Sequence, residues 1–221
     1  MEKLKLTIVY DNEAEEGLIR GWGFSCYIKT EEENILFDTG GDGRALLHNL
    51  RVLDISSQEI TKVILSHEHG DHTGGLFALL NTNPEIEVYV PVSFSKRLKN
   101  EIASQARLIE VSEAQEICRN IYTTGELGSG VREQSLIVDS GSGLYVITGC
   151  SHPGLTEIMG TASKFGTVVG IIGGLHGSTE YDLLKGLNLI GAGHCTAHKK
   201  EIARKFPDAF LEIGAGLSLE L

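Results

Sequence analysis

Four short apolar segments of the 221-residue chain are each followed by one or more small residues and then histidine. These segments contain six of the eight histidines and occupy residues 63–72 (VILSHEHGDH), 145–152 (YVITGCSH), 168–176 (VVGIIGGLH) and 188–194 (NLIGAGH). Each apolar part has the length and composition of a buried β-strand. Because loops at the carboxyl ends of strands bind ligands in α/β sheets, we expect the six histidines to converge on one face.

The remaining pattern predicts strands first and then strands alternating with helices. Strands are expected at residues 4–10, 23–30 and 34–40, and a hairpin at 134–148. Helical spacing or capping is found at residues 44–53, 56–60, 73–80, 93–105, 154–165, 179–185 and 197–206. This order predicts the α/β class, with sheets covered by helices in a layered sandwich, as a single domain over residues 1–221.

Charge and composition exclude several classes of protein. Nineteen Lys and Arg against thirty Asp and Glu give a net charge of −11, so we expect no nucleic-acid partner. No apolar run approaches the ~20 residues of a membrane span, and residues 1–10 lack the apolar core of an export signal. We therefore expect a cytoplasmic protein with no membrane partner and with its four cysteines reduced.

Residues 67–72 contain the densest set of metal-binding side chains. Three imidazoles and two carboxylates fall within six positions, which we expect to form a turn with no strand or helix. In a turn, His67, His69 and Asp71 can point the same way, whereas Asp71 and the adjacent His72 diverge, so that His72 faces a second ion. Imidazole and carboxylate together suit zinc or a similar divalent metal.

The pattern His67-x-His69-x-Asp71-His72 after a buried strand, with Asp38 ending an earlier strand, resembles the metallo-β-lactamase superfamily. The resemblance implies a four-layer αβ/βα sandwich with a metal centre at one edge. The segments SHEHGDHTGGL, VITGCSHPG, GGLH and GHCTAHK are further similar to the 7,8-dihydropterin-6-methyl-4-(β-D-ribofuranosyl)aminobenzene-5′-phosphate synthase-like subgroup.

The resemblance also implies ligand roles. His67 and His69 match ligands of a first metal, Asp71 and His72 match ligands of a second, and His194 matches the last family histidine, which completes the second site. One or two divalent ions per chain are therefore expected. Zinc is the first choice, with manganese or iron left open because imidazole and carboxylate ligands accept all three.

Two positions depart from the family pattern. The family has a histidine before the central hairpin, where this chain offers only Glu133. The bridging aspartate of the family is replaced by Cys150, which is either a thiolate ligand or a small buried residue. His152, two residues later, is the best substitute ligand, and a hydrogen-bonding role beside the metal is its alternative.

Other polar residues have less determined roles. His176 is interpreted as a substrate contact or general acid, with a metal ligand or a structural residue as alternatives. Asp38 is interpreted as a residue that orients a ligand imidazole rather than as a ligand. Lys199 and Lys200, early in a predicted helix, are candidates for binding substrate phosphate, although a solvated helix face is the commoner role. His48 and His198 are expected at the surface.

Three functions are compatible with these residues. The first is a metal-dependent hydrolase of an ester, phosphoester or diphosphate, in which Asp71 holds metal and orients the attacking hydroxide and His176 protonates the leaving group. The second, implied by the subgroup, is a transferase that joins a dihydropterin diphosphate to an arylamine ribophosphate and releases pyrophosphate. The third is a non-catalytic metal-binding module. The first two predict a small anionic substrate, and the oligomeric state is left open.

Overall fold

The structure, a computed structural model, describes residues 4–221. The described residues form two compact units, one built from residues 4–111 and 214–221 and the other from residues 112–213. Each unit contains one seven-stranded mixed sheet together with helices. The α/β class predicted from the sequence is therefore confirmed.

The sheet of the first unit has the strand order β14-β1-β2-β3-β4-β5-β6, with strands numbered along the whole chain. Its strands are β1 Lys5–Tyr10, β2 Ser25–Lys29, β3 Asn34–Phe37, β4 Lys62–Ile64, β5 Glu87–Pro91, β6 Arg107–Val111 and β14 Ser218–Glu220. Its helices are α1 Gly43–Val52, α2 Gly70–Thr73, α3 Leu76–Leu80 and α4 Lys96–Ala103, with a 3-10 helix at Ser57–Glu59. Strands β3 to β6 are parallel, and the others pair antiparallel.

The sheet of the second unit has the order β13-β12-β11-β10-β9-β8-β7. Its strands are β7 Glu113–Cys118, β8 Ile121–Gly125, β9 Leu136–Asp139, β10 Leu144–Thr148, β11 Val168–Gly174, β12 Leu189–Gly193 and β13 Phe210–Glu212. Its helices are α5 Leu155–Ala162 and α6 Lys199–Lys205, with a 3-10 helix at Tyr181–Leu184. Strands β7 to β10 are antiparallel, and β10 to β13 are parallel.

Each unit has its own apolar core between sheet and helices. In the first unit, α1 buries Leu46 and Leu50 against strand residues such as Val63 and Val88. Asp42 begins this helix because its side chain accepts the free N–H groups of residues 44 and 45. In the second unit, α5 packs against β10 and β11 through a separate cluster. Burial of one such aliphatic side chain contributes about 1.5–3 kcal/mol.

Parallel pairing places the predicted loops at common sheet edges within each unit. In the second unit, β10, β11 and β12 are adjacent parallel strands, and the loops that follow them carry His152, His176 and His194. In the first unit, β3 and β4 are parallel with Phe37 opposite Ile64, so that Asp38 and the segment containing His67 leave the same edge.

Three expectations about elements were wrong in detail. The helix expected at residues 73–80 is divided into α2 and α3 at Gly74 and Gly75, where a Cβ on Gly75 would lie 2.2 Å from the carbonyl oxygen of Thr39. The helix expected at 179–185 is a short 3-10 turn. Strands β7, β8 and β14 were not predicted, and the exposed, polar sequence of β7 explains its omission.

No helix within residues 4–221 combines the length and apolar character that crossing a membrane requires.

Candidate metal centre

The first unit contains a cluster of three histidines around His67, which follows the short strand β4. His67 and His72 are fully buried, and their ring centroids lie 4.2 Å apart. The ring of His69 is exposed, and its Nδ1 lies 3.0 Å from Nε2 of His67. The structure therefore brings together three of the predicted ligands.

Asp38 lies beneath this cluster and is fully buried. Its Oδ2 is 2.7 Å from Nδ1 of His72 and also accepts the hydroxyl of Ser66 at 2.7 Å, while its Oδ1 accepts the Ser66 N–H at 2.7 Å. Because a carboxylate only accepts, Nδ1 of His72 is the donor in this contact, and the lone pair of the neutral ring is on Nε2. Burial, and then the charge of Asp38, raise the pKa of the Cys26 thiol in β2.

Helix α2 places Asp71 and His72 differently from the sequence expectation. A turn without helix was expected at residues 67–72, but α2 begins at Gly70, with His69 as its N-cap. The expectation that the side chains of Asp71 and His72 diverge is also wrong, because Oδ2 of Asp71 lies 3.7 Å from Nε2 of His72. Both residues belong to α2, and the carboxylate of Asp71 lies near the ring of His72.

The second unit contains a cluster around Cys150, which is buried. Its Sγ lies within 4.8 Å of a ring nitrogen of His152 and within 4.8 Å of a ring nitrogen of His194. The rings of His152 and His176 have their centroids 4.9 Å apart. His194 is buried, whereas His176 is exposed. The sulfur thus lies beside two predicted ligands.

Several residues in the two clusters have backbone conformations that side chains rarely adopt. Asp38 has a φ of 57°, Ser151 of 60°, His176 of 46° and His194 of 42°. Strained residues of this kind persist where the surrounding structure holds them, and they are concentrated at functional sites. These four residues lie within three positions after the ends of β3, β10, β11 and β12.

Glu133 binds backbone N–H groups, a role that the sequence did not predict. Its carboxylate is buried and accepts the backbone N–H groups of four consecutive residues, those of positions 149–152, at 2.9–3.0 Å. The residue that stands where the family has a histidine therefore contacts the backbone of the loop that carries Cys150 and His152. Ser66, which hydrogen bonds to Asp38 and to Nδ1 of His67, was also missed.

The remaining candidate residues lie on or beside helices α1 and α6. Helix α6 begins at Lys199, and Lys200 is exposed, as a solvated helix face requires. His48 on α1 is partly exposed, with Nε2 2.9 Å from the carbonyl oxygen of Gly17. His198 is the N-cap residue of α6 and is partly exposed.

The donor atoms in these clusters fit a borderline divalent metal. Imidazole nitrogen, carboxylate oxygen and thiol sulfur are the ligand types of zinc sites, and imidazole and carboxylate also suit manganese and iron. A hydrogen bond from a ligand histidine to a carboxylate, as between His72 and Asp38, is the usual support of such a ligand. The assignment of individual residues as ligands stays a prediction.

Comparison with known proteins identifies the same superfamily as the histidine and aspartate motifs. The profile of the metallo-beta-lactamase superfamily matches residues 22–157. The 7,8-dihydropterin-6-methyl-4-(beta-D-ribofuranosyl)-aminobenzene-5'-phosphate synthase of Methanocaldococcus jannaschii is 28% identical and covers 88% of this chain and 88% of its own. This relative confirms the resemblance to the synthase-like subgroup.

Solved structures agree as well. Tm1679, a metal-dependent hydrolase of the beta-lactamase superfamily, is 25% identical, with a TM-score of 0.80 over 99% of both chains. The metallo-beta-lactamase fold protein YhfI from Bacillus subtilis is 13% identical, with a TM-score of 0.75 over 99% of this chain and 100% of its own. The superfamily match and the two named enzymes among the similar proteins indicate that this chain is an enzyme. The chain belongs to the metallo-beta-lactamase superfamily.

Proposed function

We propose that the chain is a metal-dependent hydrolase that cleaves an ester, phosphoester or diphosphate bond in a small anionic substrate. The observation that carries this proposal is the buried pair His67 and His72, held by Ser66 and Asp38 in a family of metal-dependent enzymes. The proposed ligands of one or two divalent ions, zinc first, are His67, His69, Asp71, His72, His152 and His194, with Cys150 as a further candidate ligand. The four free cysteines support a cytoplasmic location, where thiols remain reduced.

The chemistry divides between the ion and the side chains of the chain. A bound divalent ion supplies positive charge that lowers the pKa of water and stabilises a developing oxyanion. Asp71, whose side chain is partly buried, accepts a hydrogen bond from the attacking water and so orients it. His176 is exposed beside His152 and donates a proton to the leaving oxygen.

A second candidate function is group transfer, and the relative from Methanocaldococcus jannaschii favours it, since that relative is named a synthase. In this reaction an arylamine nitrogen bonds to the methylene carbon of a dihydropterin diphosphate as the carbon–oxygen bond breaks. Pyrophosphate leaves with the bonding electrons, and the amine loses a proton. Lys199 and Lys200, of which Lys200 lies on an exposed helix face, would assist either function by attracting phosphate.

A paired assay separates the two functions. Dihydropterin diphosphate is supplied with and without the arylamine ribophosphate, and pyrophosphate and coupled product are both measured. Hydrolysis of the phosphoester bond predicts pyrophosphate release that does not depend on the acceptor, whereas cleavage within the diphosphate releases phosphate, which is measured as well. Acceptor-dependent release with a coupled product would instead establish the synthase, and a protein purified without chelator that holds less than half an equivalent of metal would refute both.

A further inference from the structure

The loop at residues 149–152 is held by a buried carboxylate that the proposed chemistry does not use. Oε1 of Glu133 accepts the N–H groups of Gly149, Cys150 and Ser151 at 3.0, 2.9 and 3.0 Å, and Oε2 accepts the N–H of His152 at 3.0 Å. Glu133 is 1% exposed. Successive N–H groups that converge in this way form an anion-binding concavity, and here the anion belongs to the chain itself.

The conformation of the loop suits this contact. Ser151 has a φ of 60°, and its hydroxyl donates to the carbonyl oxygen of Gly174 at 2.7 Å. The N–H of Gly174 donates in turn to the carbonyl oxygen of Gly149 at 3.1 Å, and a Cβ on Gly174 would lie 2.3 Å from that oxygen. Glycine at position 174 is therefore needed for the close approach of loop and strand.

The backbone of Glu133 is itself held by hydrogen bonds. Its backbone N–H and carbonyl both hydrogen bond to Leu127, at 3.1 and 2.9 Å, in an isolated antiparallel bridge. The backbone of Glu133 is therefore fixed, and its carboxylate contacts a loop in which Ser151 has a left-handed conformation. This arrangement restricts the orientations of the side chains of Cys150 and His152, which leave the same loop.

A metal-binding role does not account for these contacts. Three loop amides converge on Oε1 and one donates to Oε2, so backbone N–H groups take most of the acceptor capacity of the carboxylate. The family histidine that this residue replaces would reach a metal with its ring. Glu133 instead acts on the loop that carries His152 and Cys150, and Cys150 lies within 4.8 Å of ring nitrogens of His152 and of His194.

We infer that Glu133 is a positioning residue for the metal centre: its carboxylate holds the loop at residues 149–152 so that Cys150 and His152 are presented as metal ligands. This inference rests on the proposed function, because it assumes that the chain binds a divalent metal. Glutamine at this position keeps the size of the side chain but replaces one acceptor oxygen with an NH2 group, which faces at least one backbone N–H donor. Aspartate keeps two acceptor oxygens on a side chain one methylene shorter.

The test measures cobalt binding and loop protection in the full chain. Metal-free wild type, Glu133→Gln and Glu133→Asp are titrated with Co²⁺ by absorption, and amide hydrogen exchange of residues 149–152 is measured without metal. We expect Glu133→Gln to bind Co²⁺ about 10–100-fold more weakly, with an altered d–d spectrum, because the loss of a group that orients ligands has effects of this size. Its loop amides should exchange at least about 10-fold faster, and Glu133→Asp should recover part of the affinity.

Glu180→Gln provides the matched control. Glu180 is also a carboxylate that accepts backbone N–H groups in the second unit, those of Leu155 and Thr156, but at the start of α5. The control should lower the melting temperature and leave the Co²⁺ affinity and spectrum unchanged. A Glu133→Gln protein that only melts earlier, as this control does, would show a purely structural role and overturn the inference.

The remaining outcomes are also decisive. If Glu133→Gln keeps the Co²⁺ affinity and spectrum of wild type, the inference is overturned and the proposed function stands. The same holds if Glu133→Gln binds Co²⁺ more weakly but its amides at residues 149–152 exchange at the wild-type rate. Failure of both Glu133 variants to fold assigns the residue to folding and overturns it as well. If wild type binds no Co²⁺, the proposed function fails and the inference fails with it. The wild-type titration therefore distinguishes failure of the proposed function from failure of the inference alone.

Discussion

Asp38 and Ser66 determine which ring nitrogen of two histidines carries a proton. The Ser66 hydroxyl donates to Asp38, so its oxygen accepts from Nδ1 of His67, which lies 2.9 Å away. Asp38 accepts from Nδ1 of His72 at 2.7 Å. In both neutral rings the lone pair is consequently on Nε2, the atom that a metal would bind.

Replacement of Asp38 by asparagine tests this assignment. The amide of Asp38→Asn can donate to Nδ1 of His72, which would leave the hydrogen on Nε2 and block metal binding there. Zinc affinity should fall about 10–100-fold, measured by competition with a coloured chelator. His48→Ala is the control, since His48 lies on α1 and contacts Gly17, and it should bind zinc as wild type does. Equal affinity in Asp38→Asn and wild type would contradict the role of Asp38.

The exposed ring of His69 permits a second test. Because this ring lies on the surface, His69→Ala should fold normally, which circular dichroism would verify. The variant lacks a proposed ligand rather than a residue behind one, so metal-dependent turnover should fall more than ~100-fold, beyond the usual effect of changing a supporting residue. Retained turnover in steady-state assays would remove His69 from the ligand set.

Helix α5 begins with a cap supplied from a distant part of the chain. Its N-cap residue, Gly154, has no side chain, and Glu180 accepts the N–H groups of Leu155 at 2.8 Å and Thr156 at 3.1 Å. Burial alone would raise the pKa of Glu180, but hydrogen bonds from Thr156, Leu155 and Ser178 outweigh burial and lower the pKa below its ordinary value. The ionised carboxylate is therefore the form that the folded state favours.

The stability difference between wild type and Glu180→Gln should depend on pH. A folded-state pKa below the unfolded value contributes stability above the unfolded pKa of about 4.3, and this stability is lost as pH falls through the lowered folded value. Near pH 7, loss of a helix cap costs about 1 kcal/mol, or roughly 2–4 °C in a protein of this size. Melting curves from pH 7 down to 3 should show the two proteins converging, and a constant difference would refute the cap assignment.

Elements with a buried face were predictable, and elements without one were not. Strands β4, β10, β11 and β12 are short apolar runs, so their ends and the histidines that follow could be located from the sequence. Strand β7 reads EAQEIC and is largely exposed, so it lacks the alternation that reveals a strand. Between α2 and α3, Gly75 leaves room for the backbone of Thr39, a long-range contact that local sequence does not encode.

At the scale of the whole molecule, the family and a contact between Asp38 and a candidate ligand histidine were predictable from the sequence, whereas the role of Glu133 was not. Histidine and aspartate have distinctive side chains, and their spacing identified the family. Glu133 acts through backbone N–H groups, which every residue except proline has, so no motif marks its partners. The net charge of −11 is spread over the chain and says little about a substrate, because ions bound locally determine the charge that a substrate meets.

Removal of metal should destabilise the protein as a whole. An ion that binds only the folded state stabilises it by RT ln(1 + [L]/Kd), about 2.7 kcal/mol at 100 times Kd, which corresponds to roughly 5–11 °C for a chain of this length. Differential scanning calorimetry after chelator treatment and after return of Zn²⁺ measures this shift. Mg²⁺ is the control ion, since imidazole and thiol ligands disfavour it.

A His67→Ala, His72→Ala double variant should lose the Zn²⁺ shift, because both buried rings with an Nε2 lone pair are gone. A shift that persists in the double variant would place the stabilising ion elsewhere, and no shift in wild type would refute metal binding at these histidines.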